Sequence, residues 1–140
     1  MIYWFTGQPG TGKTTLANKL KEFLQTEKRN WRKDVFQIDG DSDYSLDEAQ
    51  LISSYITKND CDIVVSSVSS IRKKREFFKS KMGNQIIEIF VSSNKKKAKD
   101  LKLENYEEPN TNFFEIDTTL ENPIQSFTKL IHYLRENEKI

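Results

Sequence analysis

A chain of 140 residues, 36% hydrophobic and 31% charged, has room for one hydrophobic core and the make-up of a globular protein. Its net charge of +1 excludes an overall electrostatic pull toward nucleic acid or an anionic membrane surface. No apolar run approaches the roughly 20 residues needed to cross a bilayer, and no internal repeat or Gly/Ser-rich linker divides the chain, so one domain over residues 1–140 is expected. Cys61 is the single cysteine, and the N-terminus runs straight into "IYWF" without a basic leader or signal core, which points to a reducing, cytoplasmic setting.

In chain order, short apolar runs alternate with helical stripes, the organisation of an α/β fold. Ile2–Thr6 reads as a first buried strand. Leu16, Leu20, Phe23 and Leu24 then recur at helical spacing. A second strand is expected over 34–38, followed by a helix carrying Ala49, Ile52 and Ile56, with Ser45 and Glu48 spaced as a capping box. Residues 61–66 form a third Val/Ile-rich run, and a helix over 71–81 follows it. The fourth strand, 86–91, leads to a short helix over 94–101. The fifth strand, 113–116, precedes a final helix whose apolar stripe is Ile124, Phe127, Ile131 and Leu134. The pattern predicts a five-stranded parallel sheet flanked by helices.

The stretch between the first strand and the first helix carries the strongest chemical signal. Gly7, Gly12, Lys13 and Thr14 stand at the spacing G-x-x-x-x-G-K-[ST], inside the run Gly7, Gln8, Pro9, Gly10, Thr11, Gly12, Lys13, Thr14, Thr15. Such a loop turns its backbone N–H groups toward phosphate oxygens, and the helix N-terminus behind it adds partial positive charge. The expected ligand is ATP. Lys13 is placed to hold the β- and γ-phosphates, the Thr14 hydroxyl to bind Mg2+, and Thr15 to contact the α-phosphate side.

The second signal is "QIDGDSDYS", where Asp39 and Asp41 follow the second strand. Strand ends at that edge of a parallel sheet face the ligand crevice. A carboxylate there can accept the acceptor hydroxyl's proton or orient magnesium waters. Asp39 is the first choice and Asp41 the second; the alternative is a solvated Asp/Gly turn. The third strand ends in "VVSSVSS", without the terminal Asp of a motor-type magnesium site, so Asp39 also inherits the metal role and a kinase is favoured over a motor ATPase.

Taken together, "WFTGQPGTGKTTLA", "IDGD", "VVSSVSSIRKKR", "IIEIFV" and "NYEEP" resemble the adenylylsulfate kinase family, P-loop enzymes that phosphorylate the ribose 3′-hydroxyl of adenylylsulfate. The resemblance implies a P-loop kinase fold, with Asp39 as the catalytic carboxylate, Asp41 supporting the substrate or magnesium shell, and Ser67, Ser70 and Arg72 along the acceptor pocket. Three departures stand out. Tyr44 occupies the place of the family's arginine, "SLDEAQLISSYI" is a shortened form of the stretch that supplies its asparagine and arginine cluster, and "SNKKKAKDLKLENYEEP" lacks the Lys-Gly-Leu-Tyr-Lys-Lys-Ala lid. Lys95, Lys96, Lys97, Lys99 and Lys102 could replace the lid's charge or form a solvated helix face.

The remaining features read as structural. "RKKREFFKSK" mixes basic residues with Phe77 and Phe78, but without an aromatic strand face it argues for one Phe in the core rather than nucleic-acid binding. Cys61 reads as an apolar filler, and His132 has no partner at metal or catalytic spacing. The expectation is ATP-dependent phosphoryl transfer to a small hydroxyl acceptor, adenylylsulfate first. Another nucleotide or sugar alcohol is the alternative acceptor, and a nucleotide-binding switch with weak ATPase activity is the alternative function. Partners are ATP and the acceptor, with no nucleic acid or membrane and with a homodimer as a possible assembly.

Overall fold

The computed structural model describes residues 1–27, 34–40, 52, 55 and 59–140. Its strands are β1 (Ile2–Thr6), β2 (Val35–Asp39), β3 (Asp62–Ser66), β4 (Ile86–Ser92) and β5 (Phe113–Asp117). Its helices are α1 (Lys13–Glu27), α2 (Arg72–Met82), α3 (Lys96–Asp100) and α4 (Pro123–Glu136), with a 3-10 turn over Gly83–Gln85. The expected capping box at Ser45 and Glu48, and the helical positions Ala49 and Ile56, lie outside the described residues. Ile52 is described, and it is buried as its helical spacing predicts.

All strand pairs are parallel, in the order β2-β3-β1-β4-β5. The burial of each strand follows from that order. β1 and β3 are buried at every position, and β4 at all but its last, which is why they read as unbroken apolar runs. β2 and β5 form the ends of the described sheet and are only partly buried, each with two exposed residues.

Alternation along β1 splits the core in two. Tyr3 and Phe5 face the layer of α1 and α4, packed with Leu16, Leu20, Leu130 and Leu134. Ile2 and Trp4 face the other layer with Ile63, Val65, Phe78 and Met82. Phe78 meets the Trp4 ring edge-on at 5.2 Å between centroids, whereas Phe77 is exposed, so one of the two phenylalanines is core as the sequence suggested. Cys61 is buried, and burial raises its thiol pKa.

The last helix corrects one expectation. Asn122 caps α4 by accepting from the Gln125 backbone, the Gln125 side chain returns a bond to the Asn122 N–H, and Pro123 opens the helix. Ile124 therefore sits in the first turn, outside the core, and is 69% exposed, while Leu130 and Leu134 are fully buried and Ile131 nearly so. Three smaller adjustments accompany it: the 94–101 helix contracts to Lys96–Asp100, the second strand shifts by one residue to Val35–Asp39, and the fifth extends to Asp117.

Candidate active site

Parallel pairing brings the C-terminal ends of all five strands to one edge. Opposite Asp39 in register stands Ser66, and opposite Ser66 stands Phe5, two residues before the phosphate loop. Asp39 is thus two strand spacings, about 10 Å, from the strand that launches the loop.

The loop is shaped by backbone that only glycine adopts freely. Gly7 has φ 142°, and a Cβ there would come within 2.2 Å of the Val91 carbonyl oxygen; Gly10 has φ 74°. Inside the loop the Gln8 carbonyl accepts from the Lys13 ammonium at 2.7 Å and from the Thr11 hydroxyl at 3.0 Å. The Thr118 hydroxyl, just past β5, donates to the Thr11 carbonyl at 2.9 Å and so braces the far side. Thr14 and Thr15, in the first turn of α1, are exposed. Among the described residues no group of three His, Cys, Asp or Glu forms a metal cluster. A hydroxyl from Thr14 and an exposed carboxylate from Asp39 are the hard oxygen donors that suit Mg2+, which keeps several of its waters.

Asp39 is held from its neighbouring strand. Its Oδ1 accepts from the Ser66 hydroxyl at 2.9 Å, and the Gly40 N–H donates to the Ser66 carbonyl at the same distance, carrying the β2–β3 pairing past the strand end. The serine that replaces a terminal aspartate on β3 therefore orients the aspartate on β2. Asp41 lies outside the described residues.

The loop after β3 holds the other three candidates. Ser67 is 1% exposed, its Oγ accepting from the Trp4 indole at 3.1 Å and lying 2.6 Å from the Ser69 hydroxyl, so it forms the floor of this loop. The Ser70 carbonyl accepts from the Glu107 N–H at 3.0 Å. Arg72 donates from Nε to the Glu108 carbonyl at 2.6 Å, and its own N–H donates to the Glu107 carboxylate at 3.1 Å. Ser67, Ser70 and Arg72 are thus brought together, and Ser70 and Arg72 are bound to the segment before β5.

Beneath that segment lies a buried charged network. Glu88, in the middle of β4 and fully buried, pairs with Arg75 at 3.0 Å and Lys79 at 2.7 Å and accepts from the Thr6 hydroxyl at 2.8 Å. Arg75 is 1% exposed and also donates to the Ser69 and Glu107 carbonyls. Lys79 caps the Thr111 and Asn112 carbonyls. The Arg75 guanidinium lies over the Tyr106 ring, and burial pushes the Tyr106 hydroxyl up to about 12. The only advance signal was the i, i+4 spacing of Arg75 and Lys79 with a lone glutamate in an apolar strand.

Two cavities flank the loop. One of about 140 Å3 lies between it and the start of α4, lined by Gly12, Thr15, Lys95, Thr118 and Asn122. The other, about 480 Å3, opens beside β4 and β5 and is lined by Gln8, Ser92, Lys99, Lys102, Glu108 and Asp117. Of the lysine run, Lys95, Lys99 and Lys102 therefore border the cleft. The Thr119 hydroxyl and N–H hold the Asp117 carboxyl below the usual range.

A parallel sheet in this order, with a glycine-rich phosphate loop leaving its central strand, defines a P-loop nucleotide-binding domain of kinase type. The model of the adenylylsulphate kinase family matches residues 1–126; the chain belongs to that family and is an ATP-dependent kinase. An adenylyl-sulfate kinase of Halothermothrix orenii is 25% identical over 95% of this chain and 88% of its own length. One from Picosynechococcus is 29% identical over 64% of this chain and 57% of its own. Among solved structures, the hexameric APS kinase from Thiobacillus denitrificans shares the fold with a TM-score of 0.69 at 24% identity, covering 97% of this chain and 29% of that one. Among the described residues no helix is long and apolar enough to cross a membrane.

Proposed function

We propose that this kinase transfers the γ-phosphoryl group of ATP to the 3′-hydroxyl of adenylylsulfate, giving 3′-phosphoadenylylsulfate and ADP. The observation that carries the reading is the pairing of a complete phosphate loop with Asp39, a carboxylate fixed by Ser66 at the adjoining strand ends. In this reading the bond between the γ-phosphorus and the β,γ-bridging oxygen breaks as the acceptor oxygen bonds to that phosphorus. The acceptor's proton passes to Asp39, and ADP carries away the bridging oxygen. Lys13 exchanges the Gln8 carbonyl for the β- and γ-phosphate oxygens. Thr14 and Asp39 would hold Mg2+, which would supply neutralisation of the phosphate charge. The other loop residues, Gly7 to Thr15, cradle the phosphates through their backbone. Asp41, Ser70 and Arg72 line the acceptor, and Ser67, held by Trp4 and beside Ser69, supports the loop that carries Ser70 and Arg72.

Because the stretch around Tyr44 and the lid are shortened, a second acceptor class, another nucleotide or a sugar alcohol, is the competing reading. A switch with slow ATPase activity is the third. ADP release measured with adenylylsulfate, with other nucleosides and polyols, and with no acceptor separates them. Stimulation by adenylylsulfate alone supports the proposal, stimulation by another acceptor replaces it, and an acceptor-independent rate supports the switch. A cytoplasmic location and a homodimer complete the proposal.

A further inference from the structure

Gln8 differs from its loop neighbours in what its side chain does. Its Nε2 donates to the Leu103 carbonyl at 2.9 Å, and its Oε1 accepts from the Leu103 N–H at 2.9 Å. These two bonds imitate a strand pair between residues 95 apart in sequence. The carbonyl of the same residue takes the Lys13 ammonium and the Thr11 hydroxyl. One residue therefore touches both the phosphate-binding lysine and the segment between α3 and β5.

That segment continues the connection. A Cβ at Gly10 would lie 3.1 Å from Leu101 Cδ1, so residue 101 already rests on the phosphate loop. Lys102 and Glu108 border the 480 Å3 cavity together with Gln8. Further along, Glu107 and Glu108 bind the backbone of Ser70 and the guanidinium of Arg72. A continuous set of hydrogen bonds thus runs from Lys13 through Gln8 to Leu103, and the chain carries it on to the loop after β3.

We propose that Gln8 is a positioning residue whose side chain latches residues 101–108 onto the phosphate loop and so sets the acceptor end of the cleft at a fixed distance from the γ-phosphate. The proposal rests on the transfer reading above for its kinetic consequence, but the latch itself does not. An amide is required because Leu103 offers one donor and one acceptor, and a glutamine side chain answers both at once. The backbone bonds to Lys13 and Thr11 survive any substitution at this position, so the change is confined to the 101–108 segment.

Two measurements on the full chain test this. In hydrogen exchange, Gln8→Ala should speed exchange of the Leu103 N–H about tenfold relative to the parent, as loss of its partner allows. Gln8→Glu, which still accepts from that N–H, should retain part of the protection. Unchanged exchange in Gln8→Ala overturns the latch. With adenylylsulfate as acceptor, Gln8→Ala should raise the acceptor KM about tenfold while the ATP KM stays within about twofold. A parallel rise in both KM values marks a general loop defect and overturns the positioning role. If the parent enzyme shows no adenylylsulfate-dependent ADP release, the acceptor assignment fails, and the exchange result alone supports or overturns the latch.

Discussion

Replacing Arg75 by alanine removes more from this fold than a basic surface residue would. The guanidinium is 1% exposed, pairs with Glu88 at 3.0 Å, donates to the Ser69 and Glu107 carbonyls, and covers the Tyr106 ring. Breaking a buried ion pair by deleting one partner typically costs about 3–5 kcal/mol, because the other charge is left without compensation. Here Lys79 stays within 2.7 Å of Glu88, which places the loss near the lower end, about 3 kcal/mol. A domain of 140 residues has a total stability of about 7–20 kcal/mol, so the variant should fold with a visibly reduced margin. With a urea slope of about 2 kcal/mol per molar, the denaturation midpoint should fall by about 1.5 M at an unchanged slope. Glu88→Gln should cost at least as much, since it strands two buried cations on one neutral amide. The combination Arg75→Met with Glu88→Leu should recover part of the loss. A midpoint shift below about 0.5 M for Arg75→Ala, equivalent to about 1 kcal/mol at that slope, would refute the reasoning that this network supports the sheet.

Lys13→Ala should cut turnover at least about 100-fold, because the ammonium that meets the Gln8 carbonyl is needed for the phosphates. Wild-type turnover in that variant rules out the loop as the phosphate site. Asp39→Asn should lower kcat roughly 100- to 10,000-fold with ATP affinity largely kept, and Ser66→Ala, which frees the carboxylate without removing it, should lower kcat by about tenfold. A Ser66→Ala enzyme as slow as Asp39→Asn would mean that the serine itself meets the substrate. Tyr3 and Tyr106 both have raised hydroxyl pKa values, chiefly from burial. The unfolded chain loses these protons near pH 10 and the folded one only at higher pH, so their contribution is complete below pH 10 and declines from there toward pH 12. Urea midpoints should drop between pH 10 and pH 12, and less steeply in Tyr106→Phe; parallel curves for the two proteins would show that Tyr106 ionises alike in both states.

The parts of this architecture that local pattern encodes could be read from the chain alone. The apolar runs of β1, β3 and β4 announce strands buried on both faces, and the phosphate loop is written in contiguous residues with the strand before it and the helix after it. The placement of Asp39 at the crevice edge follows from the same rule about parallel sheets. What escaped depends on register or on distant partners. Ser66 meets Asp39 only because β2 and β3 pair at that register, 27 residues apart in sequence. Arg75 and Lys79 resemble a solvated basic stretch until Glu88 is brought against them from β4. Ile124 fits the helical stripe by spacing but lies in the first turn of α4, beyond the core. The Gln8 latch is equally silent in the sequence, since a glutamine inside a phosphate loop says nothing of a backbone 95 residues away.

The most direct test of the central claim follows the γ-phosphate itself. Purified protein given γ-labelled ATP, magnesium and adenylylsulfate should move the label onto the acceptor's 3′-oxygen in step with ADP formation, one label for each ADP. Label appearing only as inorganic phosphate, at a rate the acceptor does not change, would contradict the account and leave the phosphate loop serving a switch.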